Sequence, residues 1–600
     1  MKIKFTLLAL IAFFTVSAQS FREVQLRKPN RISPLFIGPI FKSTIHYGAT
    51  PSNYNGKVIV FNHGYIDLNQ IQFLFDNSFY EQAYEEGYQT VFVATTRGGG
   101  IWKNGRLMAE ALDIITDKYN VPDVYIIAHS NGGKAAEAAM ISFDKNDKVK
   151  KVFALGTPYW GTYIADVSQF PLLRWAWSLT GLNEGARTST TYYNRDVVRP
   201  LLDNDPNNNP GKFVVLGVTG FDRGSNLLAR AGFKLTGGII APKQGTNDGV
   251  SPYSSTLRPG STSVFSENDP NGRIDHIDVG LGQFTWQYIV PFLTNDQEKS
   301  VVKAAPYQLS TRIESDYYLV HSENEYDQII LDKNATYALT TVLHKNENAT
   351  FQLFPDGNKN SGATRSFTSK NHETTISISN YKNSITSKSP FVAFVRPQNN
   401  LRMYFDQEKS GDSPILKAGF FSKSKQHLSL EGVSMRATIT KTSTLMGEEI
   451  EGSSEVYTFN LSDKEFVFNT HTLSPGVYSI LLTGEKENEF KRSILTGFVV
   501  GDIASEMAAV FSEQQLHKDP SGFKLIPTII ENEASLSFNN IPGTDLELRI
   551  FDIGGKEIVR EEVRPSSLSQ IDISNTVSHL TPGIYILKVH NFPSVKFIKK

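Results

Sequence analysis

The stretch from Val124 to Met140, VYIIAHSNGGKAAEAAM, constrains the fold of this chain more than any other. A β-branched apolar run leads directly to Ser130, and an alanine-rich run follows it. This order predicts a buried strand, a sharp turn with the serine at its tip, and a helix. Such a strained turn needs small neighbours, which Ala128, Gly132 and Gly133 supply. The alternative, in which Ser130 is an ordinary helix N-cap, explains the start of the helix but not the small residues on both sides.

The same kind of pattern extends from about Lys57 to Trp286. Apolar β-branched runs recur there between amphipathic or alanine-rich segments: KVIVFNHG, QTVFVATT, DVYIIAHS, VKKVFALGTP and KFVVLGVTG. Runs this apolar are typical of strands that are buried on both faces, as in a parallel sheet covered by helices. The first half of the chain is therefore predicted to be α/β.

A serine that attacks a carbonyl carbon needs hydrogen-bond donors for the charge that develops on the carbonyl oxygen. Upstream of Ser130, the run VIVFNHGY ends a predicted strand at His63 and Gly64, where glycine lets the backbone turn its amides toward the neighbouring strand end. The predicted donors are the backbone N–H groups of Tyr65 and of Asn131, the residue after the serine. His63 as a second base is the alternative to the structural role that we assign to it.

Five motifs in the order NHGY, AHSNGG, LGTPYWGT, NDGVSP and DHID resemble the α/β-hydrolase fold and, within it, the bacterial secreted triacylglycerol lipases. The resemblance covers roughly residues 55–290. AHSxGG followed by GTPxxGT is fairly specific for lipase-like members, whereas the fold alone says little about the substrate. One departure is Ala128, which stands where the usual G-x-S-x-G motif has its first glycine and still meets the steric requirement. The resemblance implies an acyl-enzyme mechanism that requires no cofactor.

In that fold the triad follows the chain order serine, acid, histidine. The histidines of the region are His46, His63, His129 and His276. Only His276 lies downstream of Ser130, so it is the predicted general base, with a surface-loop histidine as the alternative. Asp248, in the glycine-flanked loop QGTNDGVSP, resembles the acid of the family and would orient the imidazole of His276. Asp222 is the competing acid, and turn chemistry alone is the other role open to Asp248.

Lipases of this type often carry a structural calcium ion, with a carboxylate two residues after the catalytic histidine. Asp278 matches that position, but the glutamine expected a turn later is displaced to Gln283. The resemblance therefore leaves a structural calcium ion possible, with one candidate ligand.

A predicted insertion of about residues 162–245 contains the apolar segment FPLLRWAWSLTGL. As a free helix it would expose a set of large apolar side chains: Leu172, Leu173, Trp175, Trp177 and Leu179. A mobile lid over a site for lipid or a long acyl chain and an ordinary cap helix packed on the core are both consistent with this segment.

The N-terminus predicts export. Residues 1–18 combine a short basic region, an apolar run and small residues suited to cleavage, as in a secretory signal peptide. No later segment is long and apolar enough to span a bilayer. The chain has no cysteine, which excludes disulfides and thiolate chemistry. Its 60 basic and 61 acidic residues give a net charge of -1, which does not favour nucleic acid as a partner.

The rest of the chain changes to short alternating strands and polar turns. We predict a hydrolase domain over 19–298, a β-rich module over 299–410, an Ig-like β-sandwich over 411–502, a linker over 503–525 and a last domain over 526–600. That last domain, with LRIFDIGGKEI and LTPGIYILKV, resembles the C-terminal sorting domain of the type IX secretion system, and the resemblance implies that the secretion machinery is a partner. A further adhesive β-module is the alternative.

These observations predict a secreted serine hydrolase of carboxylic esters, most similar to a lipase or carboxylesterase and acting on an ester or lipid substrate. A polyester depolymerase, an amidase or a thioesterase would use the same triad. A surface-displayed binding protein on a non-catalytic hydrolase scaffold is the alternative from another class.

Overall fold

The computed structural model describes most of the chain between residues 21 and 599. The described ranges are 21–29, 43–64, 77–96, 98–170, 184–294, 302–303, 311–321, 327–333, 335–346, 348–355, 365–370, 373–379, 382–408, 411–422, 430–462, 464–504, 523–526, 529–530, 534–538, 546–552, 556–563, 570–589 and 595–599. The predicted signal peptide lies outside them. The chain divides into two compact units, Met1–Asp502 and Ile503–Lys600.

A nine-stranded sheet organises the first part of the larger unit. Its strands are β1 Arg22–Gln25, β2 Thr44–Tyr47, β3 Val58–Asn62, β4 Gln89–Ala94, β5 Val124–His129, β6 Val149–Leu155, β7 Phe213–Leu216, β8 Thr262–Ser263 and β9 Val302–Lys303. They lie in the order β1-β2-β4-β3-β5-β6-β7-β8-β9, and the central strands from β4 to β8 are parallel. Every residue of β3 and β5 is buried, as expected for strands with helices on both faces. The predicted α/β class is confirmed.

Helices follow most of these strands. They are α1 Phe79–Glu85, α2 Ile101–Tyr119, α3 Asn131–Ile141, α4 Tyr163–Ser168, α5 Glu184–Arg187, α6 Thr191–Tyr193, a π-helical turn Asn194–Val198, α7 Arg199–Asp203, α8 Leu227–Gln244, α9 Tyr253–Thr256 and α10 Gly282–Thr294. Helix α2 packs against α3, and α1 packs against α10. Short 3-10 turns occur at Pro210–Lys212, Pro270–Gly272 and Asp278–Gly280.

The predicted insertion of about residues 162–245 is not a single added segment. It contains β7, which pairs with β6 and β8 in the middle of the sheet, so helices α4 to α7 lie before a core strand and α8 lies after it. The segment contributes a strand to the sheet because FVVL, Phe213–Leu216, is itself a buried apolar run. The apolar segment FPLLRWAWSLTGL, interpreted as a lid or a cap helix, begins at the buried Phe170, and the rest of it lies outside the described residues.

A buried ion cluster anchors helix α3. Glu137 of α3 accepts hydrogen bonds from Arg199 at 2.5 Å and from Arg258, which follows α9, at 2.7 Å. The side chains of Glu137 and Arg258 are fully buried, and the two cations hold the pKa of Glu137 below its ordinary value against the effect of burial, which raises it. This cluster fixes the helix after Ser130 to two later parts of the chain.

Two β-structures follow within the same unit. An eight-stranded antiparallel sheet has the order β11-β18-β13-β16-β15-β14-β17-β12. Its strands are β11 Tyr318–His321, β12 Asp327–Ile330, β13 Ala338–His344, β14 Asn348–Pro355, β15 Arg365–Lys370, β16 Glu373–Ile378, β17 Lys382–Ser387 and β18 Phe391–Pro397. One face of this sheet encloses its own apolar core, which includes Val342, Phe351 and Val395.

A sandwich of two sheets is formed by strands that lie before and after the eight-stranded sheet in the sequence. Its strands are β10 Ile313–Ser315, β19 Leu401–Glu408, β20 Ile415–Ser422, β21 Val433–Ser443, β22 Ser454–Thr458, β23 Asn460–Ser462, β24 Glu465–Asn469, β25 Gly476–Lys486 and β26 Phe490–Val500. The two sheets, β10-β19-β20-β24-β23 and β22-β21-β25-β26, share one core. Since β19 pairs along its whole length with β20, the predicted boundary at residue 410 divides this sandwich, and strands β10 and β19 belong to it.

The sandwich contacts the helical part of the hydrolase region. Tyr193 of α6 donates its hydroxyl to the carbonyl of Leu445 at 2.7 Å, and Arg187 of α5 donates to the carbonyl of Gly447 at 3.0 Å. A Cβ on Gly497 of β26 would lie 2.5 Å from the ring of Tyr192. These close contacts make the sandwich part of the same compact unit.

The smaller unit is a β-structure with a core of its own. Its strands are β27 Phe523–Ile526, β28 Ile529–Ile530, β29 Ser535–Phe538, β30 Leu546–Asp552, β31 Glu557–Val563, β32 Gln570–Asp572, β33 Gly583–Val589 and β34 Val595–Lys599, with the short helix α11 Ser574–Ser578. They form the sheets β27-β29-β32 and β28-β34-β33-β30-β31. Most of the predicted linker over 503–525 lies outside the described residues. Among the described helices, none has the length and apolarity to cross a bilayer.

Candidate active site

Ser130 occupies the tip of the turn between β5 and α3. Strand β5 ends at His129 and α3 begins at Asn131, so the serine is the only residue between them. Its backbone has φ 53° and ψ -131°, in a region that residues with a side chain rarely adopt. A strained conformation of this kind is held only when the surroundings over-determine it, and it projects the hydroxyl away from both elements.

Small residues make this turn possible. A Cβ on Gly132 would lie 2.5 Å from the carbonyl oxygen of His63, and one on Gly133 would lie 2.2 Å from the hydroxyl oxygen of Thr157. Ala128 is fully buried in β5 between the neighbouring strands. These close approaches explain why the residues around Ser130 must be small, as the sequence predicts.

The imidazole of His276 lies between Ser130 and Asp248. Its Nε2 is 3.0 Å from the hydroxyl oxygen of Ser130, and its Nδ1 is 2.8 Å from Oδ2 of Asp248. All three side chains are buried. With the carboxylate accepting from Nδ1–H, Nε2 carries the lone pair that faces the serine hydroxyl. The structure thus brings the three predicted triad residues together from distant parts of the sequence.

The loop after α8 holds the carboxylate of Asp248. Oδ1 accepts from the backbone N–H groups of Val250 at 2.9 Å and Ser251 at 2.6 Å, while Oδ2 is left for the imidazole. Gly156, with φ +58°, lies beside the pair, and a Cβ there would be 3.0 Å from Oδ2 of Asp248 and 3.2 Å from Nδ1 of His276. The hydroxyl of Ser251 donates to the carbonyl of Gly156, which ties the loop to the end of β6.

His129, next to the serine, contacts the backbone of the loop that carries His276. Its Nε2 lies 2.7 Å from the carbonyl oxygen of His276, so this nitrogen carries the proton and donates it. Burial lowers the pKa of His129 to about 3, which keeps the ring neutral. His129 therefore supports the histidine loop and does not face the serine hydroxyl.

Two carboxylates flank His276 in the sequence, and both are engaged by the protein. Asp278 accepts from the backbone N–H of Ser225 at 2.7 Å with one oxygen and from its hydroxyl at 2.6 Å with the other. Burial raises the pKa of Asp275 to about 6, and its Oδ1 accepts from two backbone N–H groups of its own loop. The Asp278 contacts fasten the histidine loop to the segment that precedes α8, and the Asp275 contacts hold the loop itself.

The predicted calcium ligand does not fit a calcium site. Both oxygens of Asp278 are used by Ser225, and Gln283 points its carbonyl oxygen toward Ser78. In the described parts of the chain, no group of three or more His, Asp or Glu side chains is arranged to hold a metal ion. The sequence pattern around Asp278 is explained by loop anchoring, which a residue distant in sequence provides.

Of the two predicted oxyanion donors, Asn131 lies at the start of α3. Because Asn131 is the first residue of the helix, its backbone N–H has no acceptor within that helix. Its side-chain oxygen accepts from the hydroxyl of Ser189 at 3.0 Å, which connects this residue to the segment after α5. Tyr65 lies outside the described residues.

The competing residues lie elsewhere. Asp222 has a side chain that is 52% exposed and is near only its neighbour Arg223 among the charged residues described, so it takes no part in the Ser130–His276 arrangement. His46 is buried on β2. His63 brings its Nδ1 to 2.6 Å from the carbonyl oxygen of Gly64, in keeping with a structural role.

Sequence reasoning missed three residues that support the site: Gly156, Ser189 and Ser251. Gly156 belongs to the quoted motif LGTPYWGT, so its glycine was a usable signal for a close approach. Ser251 belongs to the quoted motif NDGVSP, but nothing in the sequence identifies Gly156 as its partner. Ser189 lies in none of the quoted motifs, and its partner Asn131 is far away in the sequence.

The strand order and the position of the serine, histidine and aspartate at the ends of its strands are those of the α/β-hydrolase fold, followed here by β-sandwich modules. Residues 527–600 match the family described as the secretion system C-terminal sorting domain. The predicted resemblance of the end of the chain to a secretion sorting domain is thereby confirmed. No curated protein matches the sequence.

Lipases and esterases are among the solved structures that match this chain. A lipase from Bacillus licheniformis, BlEst2 in propeptide form, is 20% identical with a TM-score of 0.54, and the match covers 78% of this chain and 98% of that one. The mature form of BlEst2 is 24% identical with a TM-score of 0.37, over 43% of this chain and 100% of that one. A metagenomic carboxyl esterase, MGS0156, is 17% identical with a TM-score of 0.29, over 37% of this chain and 65% of that one. The first of these likenesses supports the fold.

Proposed function

We propose that this protein is a secreted serine hydrolase of carboxylic esters, a lipase or carboxylesterase. The observation that carries the proposal is the continuous contact from Ser130 through His276 to Asp248, at 3.0 and 2.8 Å. A buried serine with strained backbone, an imidazole within reach and a fixed carboxylate behind it are the parts that acyl transfer requires.

The proposed reaction proceeds through an acyl-enzyme. The hydroxyl oxygen of Ser130 forms a bond to the ester carbonyl carbon while its proton moves to Nε2 of His276. The carbonyl oxygen becomes negative and accepts from the backbone N–H of Asn131 and, in our proposal, of Tyr65. The C–O bond to the alcohol then breaks, and the alcohol leaves with the proton from His276.

Water completes the cycle by the same steps. His276 takes a proton from water as its oxygen attacks the acyl carbon, and it returns the proton to the oxygen of Ser130 as the acid leaves. Asp248 keeps its negative charge throughout, orients the ring and stabilises the imidazolium. The chemistry needs no cofactor.

Hydrolysis of p-nitrophenyl esters tests the proposal. We expect Ser130→Ala to lower kcat by about 10⁴-fold or more. Ser142, which follows the other end of the same helix, provides the matched control, and Ser142→Ala is expected to retain the wild-type rate. Equal rates for wild type and Ser130→Ala would overturn the enzyme hypothesis in favour of a binding protein on a hydrolase scaffold.

The choice of acyl substrate needs a panel, because an amidase, a thioesterase or a polyester depolymerase would use the same residues. Esters from acetate to palmitate, the matching thioesters and anilides, and a polyester film separate these activities by kcat/KM. The proposal expects the carboxylic esters to be the best substrates. A larger kcat/KM for the anilides or thioesters would replace it with one of the related activities.

We further propose export through the type IX system, supported by the sorting-domain match at residues 527–600 and the signal-like N-terminus. The mature protein would then be extracellular or at the cell surface. Deleting residues 527–600 is expected to leave the protein inside the cell envelope, as measured by immunoblotting of culture supernatant, and its unchanged appearance outside would contradict this route.

A further inference from the structure

A turn of the sandwich packs against the part of the hydrolase region that contacts the residue after Ser130. Residues 444–449 form this turn directly after β21, and we call them the sandwich turn. The backbone N–H of Thr444 donates to the carbonyl of Glu448 at 2.9 Å, and the backbone N–H of Glu448 donates to the hydroxyl of Thr444 at 3.1 Å. Because these hydrogen bonds close the turn on itself, it can hold a neighbouring segment in place.

The sandwich turn leaves no room for one further atom beside Thr188, which follows α5. Gly447 has φ +86°, and a Cβ there would lie 2.5 Å from Cγ2 of Thr188. Arg187 donates from its Nε to the carbonyl of Gly447 at 3.0 Å. On another side, a Cβ on Gly100 would lie 2.9 Å from the same methyl carbon of Thr188. Thr188 is therefore held between two glycines that come from different parts of the chain.

The same short segment is fixed to helix α3. The ammonium of the buried Lys134 donates to the carbonyl of Thr188 at 2.7 Å. The next residue, Ser189, is also buried, and its hydroxyl donates to Oδ1 of Asn131 at 3.0 Å. Contacts between direct neighbours thus lead from Gly447 through Thr188 and Ser189 to Asn131.

We propose that the sandwich turn positions Asn131 for catalysis through Thr188 and Ser189. This role rests on the proposed function, in which the backbone N–H of Asn131 donates to the carbonyl oxygen as that oxygen becomes negative. Such a donor acts on the transition state, so displacement of Asn131 lowers kcat and leaves KM nearly unchanged. Gly447, Thr188 and Ser189 are positioning residues because they act through Asn131.

Gly447→Ala tests the first contact in the full chain, with p-nitrophenyl butyrate as substrate. The added methyl group must displace Thr188, and we expect kcat to fall by about tenfold or more while KM stays within about twofold of wild type. Gly432 is the matched control because it has φ +76° in the same sandwich, and a Cβ there has only an ordinary contact with Lys486 at 3.5 Å. Gly432→Ala carries a similar backbone strain and is expected to keep the wild-type kcat.

A smaller residue at position 188 should rescue the Gly447→Ala variant. Thr188→Ser removes Cγ2 and keeps the hydroxyl, which accepts from the backbone N–H of Ile101 at 3.3 Å. The next atom near a Cβ on residue 447 is Cγ of Glu184 at 3.6 Å, which is an ordinary contact. We expect Gly447→Ala combined with Thr188→Ser to recover kcat to within about threefold of wild type.

Ser189→Ala tests the second contact. It removes the donor to Asn131, and we expect kcat to fall by roughly three- to tenfold, the usual range for one hydrogen bond. Ser168→Ala is the control because Ser168 is equally buried and its hydroxyl donates to Ala165 within its own helix, α4. Combined with Gly447→Ala, Ser189→Ala is expected to cost less than the product of the two single effects, since both act on the same contact.

Four results would overturn the inference. A wild-type kcat in Gly447→Ala would show that the active site does not depend on the sandwich turn. Equal losses in Gly447→Ala and Gly432→Ala, or a loss that Thr188→Ser does not recover, would assign the effect to backbone strain within the sandwich. Fully multiplicative effects of Gly447→Ala and Ser189→Ala would exclude Ser189 as the link.

Stability is checked separately by circular dichroism. If Gly447→Ala fails to fold, the comparison of Ser189→Ala with Ser168→Ala still decides, and equal kcat in those two variants would contradict the positioning role.

The failure of this role can be distinguished from the failure of the proposed function. A wild-type protein that hydrolyses no ester refutes the enzyme proposal and with it the positioning role. An active wild type whose kcat is unchanged by Gly447→Ala refutes the positioning role alone.

Discussion

Gly64 approaches Ser130 so closely that a Cβ on Gly64 would lie 2.4 Å from the Cβ of the serine and 3.1 Å from its hydroxyl oxygen. Real Cβ atoms do not occur at the shorter distance, so one of the two backbones would have to move. The end of β3 and the turn after β5 can therefore approach each other this closely only because residue 64 has no Cβ.

Gly64→Ala is expected to lower kcat for ester hydrolysis by about 100-fold, because displacement of a nucleophile by about 1 Å costs roughly that much. Gly211→Ala is the control, since a Cβ at that exposed position has only an ordinary contact at 3.5 Å. The measurement is steady-state hydrolysis of p-nitrophenyl butyrate. A Gly64→Ala protein with wild-type kcat would show that the turn tolerates the shift.

Asp248→Asn is expected to lower kcat by about 10⁴-fold, because an amide in place of the carboxylate favours the wrong tautomer of His276 and no longer stabilises the imidazolium. The competing acid supplies the control, and Asp222→Asn should keep the wild-type rate because its exposed side chain lies apart from the imidazole. If the two variants exchanged these effects, Asp222 would be the acid.

Glu137→Gln is expected to destabilise the larger unit by about 3 kcal/mol, because Arg199 and Arg258 would remain buried without their counter-charge. Glu110→Gln, which removes a half-exposed contact with Arg106 at 4.0 Å, is expected to cost under about 1 kcal/mol. Urea denaturation followed by tryptophan fluorescence compares the two midpoints. Similar midpoints for both variants would contradict a structural role for the buried cluster.

The pH dependence of stability is expected to carry a contribution from Asp166 of α4. Burial raises its pKa from 3.8 to about 7, although its carboxylate accepts from the backbone N–H and the hydroxyl of Thr191. The folded state therefore holds a proton that the unfolded state releases, so this stabilising contribution is full below pH 3.8 and is lost as the pH rises through about 7.

Asp166→Asn removes this titration and keeps an oxygen that accepts from Thr191. Between pH 5 and pH 7.5 we expect the denaturation midpoint of wild type to fall relative to that of Asp166→Asn. A constant difference between the two proteins across this range would show that Asp166 does not titrate there.

Local features of the site could be predicted from the sequence because they depend on neighbours in the chain. The small residues around Ser130 predict the strained turn, and the chain order isolates His276. The structure brings Asp248, and not Asp222, to the imidazole, in line with the glycine-flanked loop in which it occurs.

The rest depends on contacts between distant segments. Asp278 matched a calcium pattern, but Ser225 reaches both of its oxygens, and no local signal announces that contact. The predicted boundary at residue 410 was wrong for the same reason. Strand β10 pairs with β19, although all strands of the eight-stranded sheet lie between them in the sequence. Alternation of apolar residues predicts strands well but does not identify their partners.

The pairing of β10 with β19 also governs the order in which this part of the chain can fold. During synthesis β10 emerges early, and its partner strand appears only after the entire eight-stranded sheet has left the ribosome. That sheet has its own core, so it can fold while the sandwich waits for its remaining strands. If the eight-stranded sheet folded slowly or misfolded, β10 and β19 would be kept apart. Completion of the sandwich therefore depends on the folding of that sheet.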